Sequence, residues 1–172
     1  LMGYYNSIFN LGIDNFTAKC AETGVDGLII VDLQPEEDSE LLTKTKERGI
    51  DLIRLITPTT DQKRLITILN NASGFLYYVT VTGITGQNSA NIKDLKKSIN
   101  IIRSSTKLPI VAGFGIKNRN DVEQISTFTD GVVVGSSIVN IVKDNLNDKN
   151  KMINKIKIFT KDLKEGIKEW IG

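Results

Sequence analysis

The sequence contains no histidine and only one cysteine, Cys20, among its 172 residues. The absence of histidine excludes Ser-His-Asp and Cys-His catalysis, histidine-ligated zinc and any imidazole acid or base. A single cysteine cannot form a disulfide within the chain, which agrees with a reducing compartment. No run approaches about 18 consecutive apolar residues, and the first residues lack the segments of a signal peptide. We therefore expect a cytoplasmic protein that does not associate with a membrane.

The chain also lacks an excess of charge, because 22 Lys and Arg residues face 20 Asp and Glu residues. The basic residues are scattered, so the sequence predicts no positively charged patch for nucleic acid or an acidic membrane surface. A hydrophobic fraction of 40% and a charged fraction of 24% are typical of a folded domain. No metal-ligand spacing and no dinucleotide-binding fingerprint is present, so we expect neither a metal nor a dinucleotide cofactor.

Short apolar runs alternate with longer amphipathic stretches along the chain. The runs are too short for helices and rich in β-branched or aromatic residues, which favours strands. They are apolar on both faces, which is typical of a parallel sheet covered on both sides. The predicted strands are residues 27–32, 51–56, 75–80, 108–112 and 131–135.

The stretches between the predicted strands have apolar residues at intervals of three and four, which predicts helices. In the helix over 35–48, Pro35 is expected in the first turn, and Asn120 is the expected cap of the helix over 120–128. The lysine-rich tail keeps the same apolar period, which favours a packed helix over an interaction tail. The predicted helices are residues 13–23, 35–48, 60–72, 92–103, 120–128 and 147–170, with a short one opening at Ser136.

The predicted strands start roughly every 22 to 34 residues, which is the βα unit of an open doubly wound sheet or of a (β/α)8 barrel. A barrel usually needs about 250 residues, so five clear units leave either an open sheet or part of a barrel. Leu1 to Tyr5 have the pattern of the carboxyl end of a strand, and we expect this strand to begin before residue 1.

Three glycine loops follow predicted strands: TGITG at 82–86, AGFGI at 112–116 and VGSSI at 134–138. Glycine lets the backbone approach a ligand closely, and backbone N–H groups at a helix N-terminus attract anions. Each loop alone has a simpler interpretation as a turn or a capped helix. Together, the last two have the form of the phosphate loops after strands 7 and 8 of (β/α)8 barrels. We therefore predict one α/β domain over residues 1–172, a partial (β/α)8 barrel with roughly strands 3 to 8.

Few acidic or nucleophilic residues are candidates for a catalytic role at the carboxyl ends of the predicted strands. Asp32 closes a predicted strand and is the candidate general base, with the alternative that it accepts hydrogen bonds in its own loop. Ser7 and Ser137 have no neighbouring base in the sequence, and Cys20 falls on an apolar helix face, which predicts burial. Tyr77 alternates with Tyr78 across one strand, so one of the two rings faces the interior.

In their order along the chain, these loops resemble the tryptophan synthase α subunit family. The matching segments are YYNSIFNLGI at 4–13, GVDG at 24–27, DLQPEE at 32–37, TGITG at 82–86, GFGI at 113–116 and GSSIV at 135–139. The ordered set is specific to that family, whereas the last two glycine loops also occur in other phosphate-binding barrels. The resemblance implies retro-aldol cleavage of indole-3-glycerol phosphate to indole and glyceraldehyde 3-phosphate in tryptophan biosynthesis. It implies a lyase without metal or cofactor that passes indole to a β subunit in an α2β2 complex.

The resemblance also implies roles for residues at the matching positions. The substrate phosphate is expected at Gly86, Gly113, Gly115, Gly135 and Ser136. The wall around indole and the lid loop are expected at Tyr77, Thr85, Phe114 and Ile29. The surface facing the β subunit is expected at Asn6, Asn10, Asp32, Gln34 and Pro35. Gln34 stands where the family usually has proline, which is expected to loosen that loop.

By motif order, the chain begins in the third strand of the barrel, so no catalytic residue is expected in it. The family's catalytic glutamate and aspartate lie on and just after the second strand. Cleavage needs a proton at indole C3 and loss of one from the glycerol hydroxyl, and an acid-base group contributes roughly 10²–10⁴-fold. We therefore expect the chain alone to bind phosphate weakly and to cleave little or no substrate. Two alternatives are a non-catalytic module that docks on the β subunit and another phosphate-binding barrel of amino-acid biosynthesis.

Overall fold

The computed structural model describes residues 1–79, 89–113 and 115–167. Within them, strands and helices alternate along the chain. The strands are β1 (Met2–Gly3), β2 (Gly27–Ile30), β3 (Asp51–Ile56), β4 (Leu76–Val79), β5 (Ile110–Gly113) and β6 (Gly131–Val132). The helices are α1 (Tyr5–Leu11), α2 (Ile13–Glu22), α3 (Ser39–Glu47), α4 (Gln62–Leu69), α5 (Ser89–Arg103), α6 (Arg119–Ile125), α7 (Ser136–Lys143) and α8 (Lys149–Glu165).

The order of the strands in the sheet is their order along the chain. The registers are parallel, with Met2 opposite Ile29 and Gly27 opposite Asp51. Each predicted strand overlaps one of β2 to β6, and β1 is the strand end predicted at residues 1–5. The predicted α/β class with parallel strands is therefore confirmed. None of the helices in the described ranges is long and apolar enough to cross a membrane.

The chain divides into two compact units, Leu1–Tyr77 with Ile102–Pro109, and Tyr78–Ile101 with Ile110–Gly172. The first unit has its core between β2, β3 and helices α1 to α3. Alternate residues of a strand point to the same face, so Leu28 and Ile30 of β2 lie beside Leu52 of β3 in this core. Burial of each such side chain contributes about 1.5–3 kcal/mol relative to its exposure. The other core residues are Ile8, Ile13, Cys20, Leu41 and Ile50.

The second unit packs α6, α7 and α8 together beside the paired strands β5 and β6. Leu163 of α8 is buried and Met152, Ile156 and Phe159 are half-buried, which confirms the predicted packed tail helix. Of the last two apolar residues in the period of this tail, Ile167 is exposed and Trp170 lies outside the described residues. The end of α8 lies close to the start of α6. A Cβ added to Gly166 would be only 2.7 Å from the Arg119 carbonyl oxygen, so the absence of a side chain permits this approach.

Two predicted helix starts are wrong. Helix α3 begins at Ser39 instead of residue 35, and the preceding residues form a turn in which the Glu37 N–H donates to the Gln34 carbonyl at 3.0 Å. Pro35 is therefore a loop residue. Helix α6 is capped by Asn118 instead of Asn120. The Asn118 side chain accepts the Asp121 backbone N–H, and the Asp121 side chain accepts the Asn118 backbone N–H, which forms a capping box. Helix α1 was not predicted.

Candidate functional site

The described parts of the last two glycine loops follow neighbouring strands of the second unit. Strands β5 and β6 pair in parallel, and the Val133 N–H continues this pairing by donating to the Ala112 carbonyl at 2.9 Å. The carboxyl ends of parallel strands meet at one edge of a sheet. Gly113 ends β5, and Gly135 follows β6 by three residues. The structure thus brings the two loops to one edge, as the sequence predicts.

The loop after β5 is tied to its surroundings on both sides. Ser137 donates its hydroxyl to the Ile116 carbonyl at 2.9 Å, which links this loop to the first turn of α7. The Asp121 carboxylate accepts the Lys117 N–H at 2.7 Å. Gly115 has a φ of +62°, in the left-handed region that favours glycine. Ser137 therefore has a structural role that the sequence did not reveal.

The N-terminus of α7 carries no compensating group of its own. Gly135 occupies the N-cap position without a side-chain cap, and the first turn contains no acidic residue. The Gly135 carbonyl accepts from Ile138 and Val139, at 3.0 and 3.1 Å, whereas no described residue is recorded as accepting from the N–H groups of Ser136 and Ser137. A Cβ on Gly115 or Gly135 would meet no heavy atom of the described residues within 4 Å. Such an end has the geometry and partial positive charge to hold an anion.

The residues predicted to surround indole are only partly described. Ile29 of β2 and Tyr77 of β4 are half-buried residues of the first unit. Burial raises the pKa of the Tyr77 hydroxyl above its ordinary value, whereas Tyr78 is the ring that is fully buried. Thr85, Gly86 and Phe114 lie outside the described residues.

Asp32 has a structural partner within the first unit. Its carboxylate accepts the Tyr5 N–H at 2.8 Å, at the start of α1, where Tyr4 provides no side-chain cap. Asp32 therefore accepts a hydrogen bond, as in the alternative, but from a helix 27 residues earlier in the chain instead of from its own loop. Asn6 and Asn10 are exposed one turn apart on the same helix. The hydrogen bond therefore connects the surface of α1 to the loop that starts at Asp32.

Two arginines that the sequence interpretation missed hold the loop between β2 and α3. Arg64 of α4 donates through its two terminal nitrogens to the side chains of Gln34 and Glu36. Its hydrogen bond holds the pKa of the Glu36 carboxyl below the ordinary value. Arg54 of β3 pairs with Asp38, with only 5% and 2% of these residues exposed. Arg64 thus holds the side chain of Gln34, the residue at which the resemblance leads us to expect a looser loop.

Only one signal in the sequence pointed to these arginines. Arg54 interrupts the apolar run DLIRLI, which indicates a charge that needs a partner. Arg64 has the pattern of an ordinary exposed helix residue, so no feature of the sequence distinguishes it.

Cys20 is buried, with 3% of its surface exposed, as the sequence predicts. Burial raises the pKa of its thiol, which disfavours the reactive thiolate. In the parts of the chain that the structure describes, no group of histidine, cysteine, aspartate or glutamate residues could hold a metal ion.

Comparison with known proteins gives a consistent result along the chain. The family model described as tryptophan synthase alpha chain matches residues 1–168. The chain is 44% identical over 164 residues to the tryptophan synthase alpha chain of Petrotoga mobilis, which covers 95% of this chain and 64% of that relative.

Solved structures of the same kind are similar in fold. The tryptophan synthase alpha subunit of Legionella pneumophila matches with a TM-score of 0.86 and 32% identity, over 97% of this chain and 61% of that one. The Campylobacter jejuni alpha subunit matches with a TM-score of 0.80 and 36% identity, over 97% and 63%. This chain therefore spans less than two thirds of the length of these relatives. The likeness confirms the predicted fold class, part of a (β/α)8 barrel.

Proposed function

Because this chain belongs to the tryptophan synthase alpha chain family, we propose that it binds the phosphate of indole-3-glycerol phosphate. The reaction proposed for the whole protein is the retro-aldol cleavage of that substrate to indole and glyceraldehyde 3-phosphate. Residues 1–172 then form one partial barrel domain of a carbon-carbon lyase in cytoplasmic tryptophan biosynthesis.

The N-terminus of α7 is the observation that carries this proposal. Gly135 leaves it uncapped, the first turn has no acid, and space is open beside both Gly115 and Gly135. A phosphate dianion there gains the backbone N–H groups of Ser136 and Ser137, and a favourable dipole term of about 0.3–1 kcal/mol per charge, up to about 2 kcal/mol when partly buried. Gly113 and Gly115 approach the same anion from the neighbouring strand end, and Gly86 completes the set by family position.

The apolar wall for indole consists of Ile29, Tyr77 and Phe114 by family position, with Thr85 in the loop that closes over the substrate. The half-burial of Ile29 and Tyr77 supports this assignment, because each has apolar surface that a ring could cover. No cofactor or metal has a role in this proposal.

The proton transfers have no candidate group in this chain. Cleavage delivers a proton to indole C3 and removes one from the glycerol hydroxyl, so it needs positioned acid-base groups. The chain has no histidine, and the Asp32 carboxylate already accepts from the start of α1. This chain alone therefore binds substrate weakly and releases little or no indole.

The β subunit of tryptophan synthase is the proposed partner, in an α2β2 assembly. The proposed contact surface consists of Asn6 and Asn10 on α1 together with Asp32, Gln34 and Pro35. Its support is that the hydrogen bond from Tyr5 to Asp32 joins these two segments within the first unit.

Calorimetric titration of indole-3-glycerol phosphate tests the site through Gly135→Ala. The added methyl group meets no protein atom but fills space beside the α7 N-terminus, so we expect affinity to fall about tenfold, which is about 1.4 kcal/mol. The thermal midpoint should stay unchanged. Gly3→Ala is the matched control, because its Cβ also meets no atom within 4 Å and it lies in the first unit.

Three results would contradict parts of this proposal. Equal affinity of Gly135→Ala and the unaltered chain would exclude the phosphate position. Preference for a different sugar phosphate would favour another phosphate-binding barrel. Binding to the β subunit without any binding of indole-3-glycerol phosphate would favour the docking module.

A further inference from the structure

We propose that Arg64 is a positioning residue that sets the shape of the loop 31–38 before the β subunit binds it, an inference that rests on the proposed function. The loop follows β2 and carries three of the proposed partner-facing residues, Asp32, Gln34 and Pro35. Arg64 belongs to the next βα unit, on α4. It acts on the partner surface through the loop and is not itself placed in that surface.

Arg64 is held rigidly by its own helix. The Asp61 carboxylate caps α4 by accepting the Arg64 N–H at 2.7 Å, which fixes the first turn. From there, the two terminal nitrogens of the guanidinium reach two acceptors, one on Gln34 and one on Glu36. A planar guanidinium donates to two acceptors in a fixed geometry, which lysine cannot reproduce. The pair of contacts therefore defines both the position and the orientation of the middle of the loop.

Apolar packing holds the loop at Leu33, which is half-buried against the core of the first unit, but Gln34 and Glu36 are exposed and a partly open cavity lies beneath Gln34. The cavity has a volume of about 300 Å³ and is lined on the loop side by Leu33, Gln34 and Pro35. Its other side consists of residues of β3, the segment that follows it and α4, among them Arg54, Thr57 and Arg64. A segment with open space below it loses the close contacts that fix a packed side chain.

The remaining side-chain hydrogen bonds of the loop hold its ends, and one backbone hydrogen bond, from the Glu37 N–H to the Gln34 carbonyl, closes the turn within it. At the beginning of the loop, the Asp32 carboxylate accepts the Tyr5 N–H of α1 at 2.8 Å. Asp38 is buried against Arg54 at the end, next to the start of α3. Among the side-chain contacts recorded for the described residues, the Arg64 guanidinium is the one that reaches Gln34 and Glu36. Loss of Arg64 should therefore free the middle of the loop and leave both ends in place.

A loop that is already in its bound shape loses less conformational freedom when a partner binds. We call the two hydrogen bonds from Arg64 to Gln34 and Glu36 the clamp. Without the clamp, a few side chains of the loop must be ordered when the β subunit binds, so binding should weaken by about three- to tenfold. Gln34 gives this chain a side-chain anchor at the position where the resemblance leads us to expect the backbone restriction of a proline.

Two measurements on Arg64→Met test the inference, with Lys63→Met as the matched control on the neighbouring, exposed position of α4. Hydrogen exchange followed by mass spectrometry should be faster in residues 31–38 of Arg64→Met and unchanged in Lys63→Met. Titration with the tryptophan synthase β subunit of the same organism should give the three- to tenfold loss for Arg64→Met alone. Arg64→Lys should resemble Arg64→Met, because lysine keeps the positive charge but lacks the planar guanidinium that donates to both acceptors.

A double-mutant cycle with Gln34→Ala separates the clamp from a general effect of the substitution. If Arg64 acts through Gln34, the loss in the double variant should be smaller than the sum of the two single losses. Unchanged exchange in Arg64→Met would overturn the clamp, and faster exchange with unchanged affinity would overturn its role in binding. If the unaltered chain does not bind the β subunit at all, the proposed partner is wrong, and the exchange experiment still decides whether Arg64 orders the loop.

Discussion

Single side chains in this protein hold segments that are distant in sequence, and the pair Arg54–Asp38 is the most buried example. Apart from Asp51 at its start, the strand that contains Arg54 is apolar, and among the described residues the Arg54 Nε atom has no hydrogen-bond partner. Asp38 occupies the N-cap position of α3, yet its side chain makes no capping hydrogen bond. Its contact with Arg54 explains this, because the carboxylate is directed to the strand instead of to the helix N–H groups. The charge of the strand residue thus determines where the helix can start.

Removal of one member of this pair should destabilise the protein strongly. Asp38→Leu leaves the Arg54 charge buried without compensation, which costs about 3–5 kcal/mol. Urea unfolding measures the loss. The double variant Arg54→Met with Asp38→Leu should be closer to the unaltered protein, because it removes both charges. A double variant at least as unstable as Asp38→Leu would show that the charge is not the cause.

Residues whose role depends on a local pattern could be predicted from the sequence, and those that depend on distant pairs could not. Cys20 was predicted to be buried from the apolar period of its own helix, and it is. Arg64 could not be assigned, because its acceptors are 28 and 30 residues earlier in the chain. Ser137 is similar, because the carbonyl it donates to lies 21 residues away.

At the scale of secondary structure, the strands were predictable and the helix starts were less so. A buried parallel strand needs a short run of apolar residues, and each such run contains a strand. A helix start depends on which of several polar residues finds a backbone N–H, and the sequence offers several candidates. At α6, Asn118 and Asn120 were both available, and the reciprocal pairing with Asp121 selects Asn118.

The two asparagines near α6 should therefore differ in their effect on stability. Asn118→Ala removes the acceptor for the Asp121 N–H at 3.1 Å and should cost about 0.5–2 kcal/mol. Asn120→Ala, at an exposed position inside the helix, should change stability by less than about 0.5 kcal/mol. Thermal or urea unfolding of the two variants gives the comparison. Equal losses would contradict the assignment of Asn118 as the cap.

For the molecule as a whole, the order of the loops carried more information than any single loop. Each glycine loop by itself is compatible with a turn or a capped helix, whereas the ordered set indicated the family to which the chain belongs. What the order could not predict is the set of side chains that hold the loops, because these contacts join different βα units.

The central claim is that the backbone at the ends of β5 and β6 binds the substrate phosphate. A crystal structure of this chain soaked with indole-3-glycerol phosphate tests it most directly. We expect the phosphate within hydrogen-bond distance of backbone N–H groups of residues 113–115, after β5, and of residues 135–137, at the N-terminus of α7. Phosphate density at any other place, with these N–H groups unoccupied, would contradict the claim.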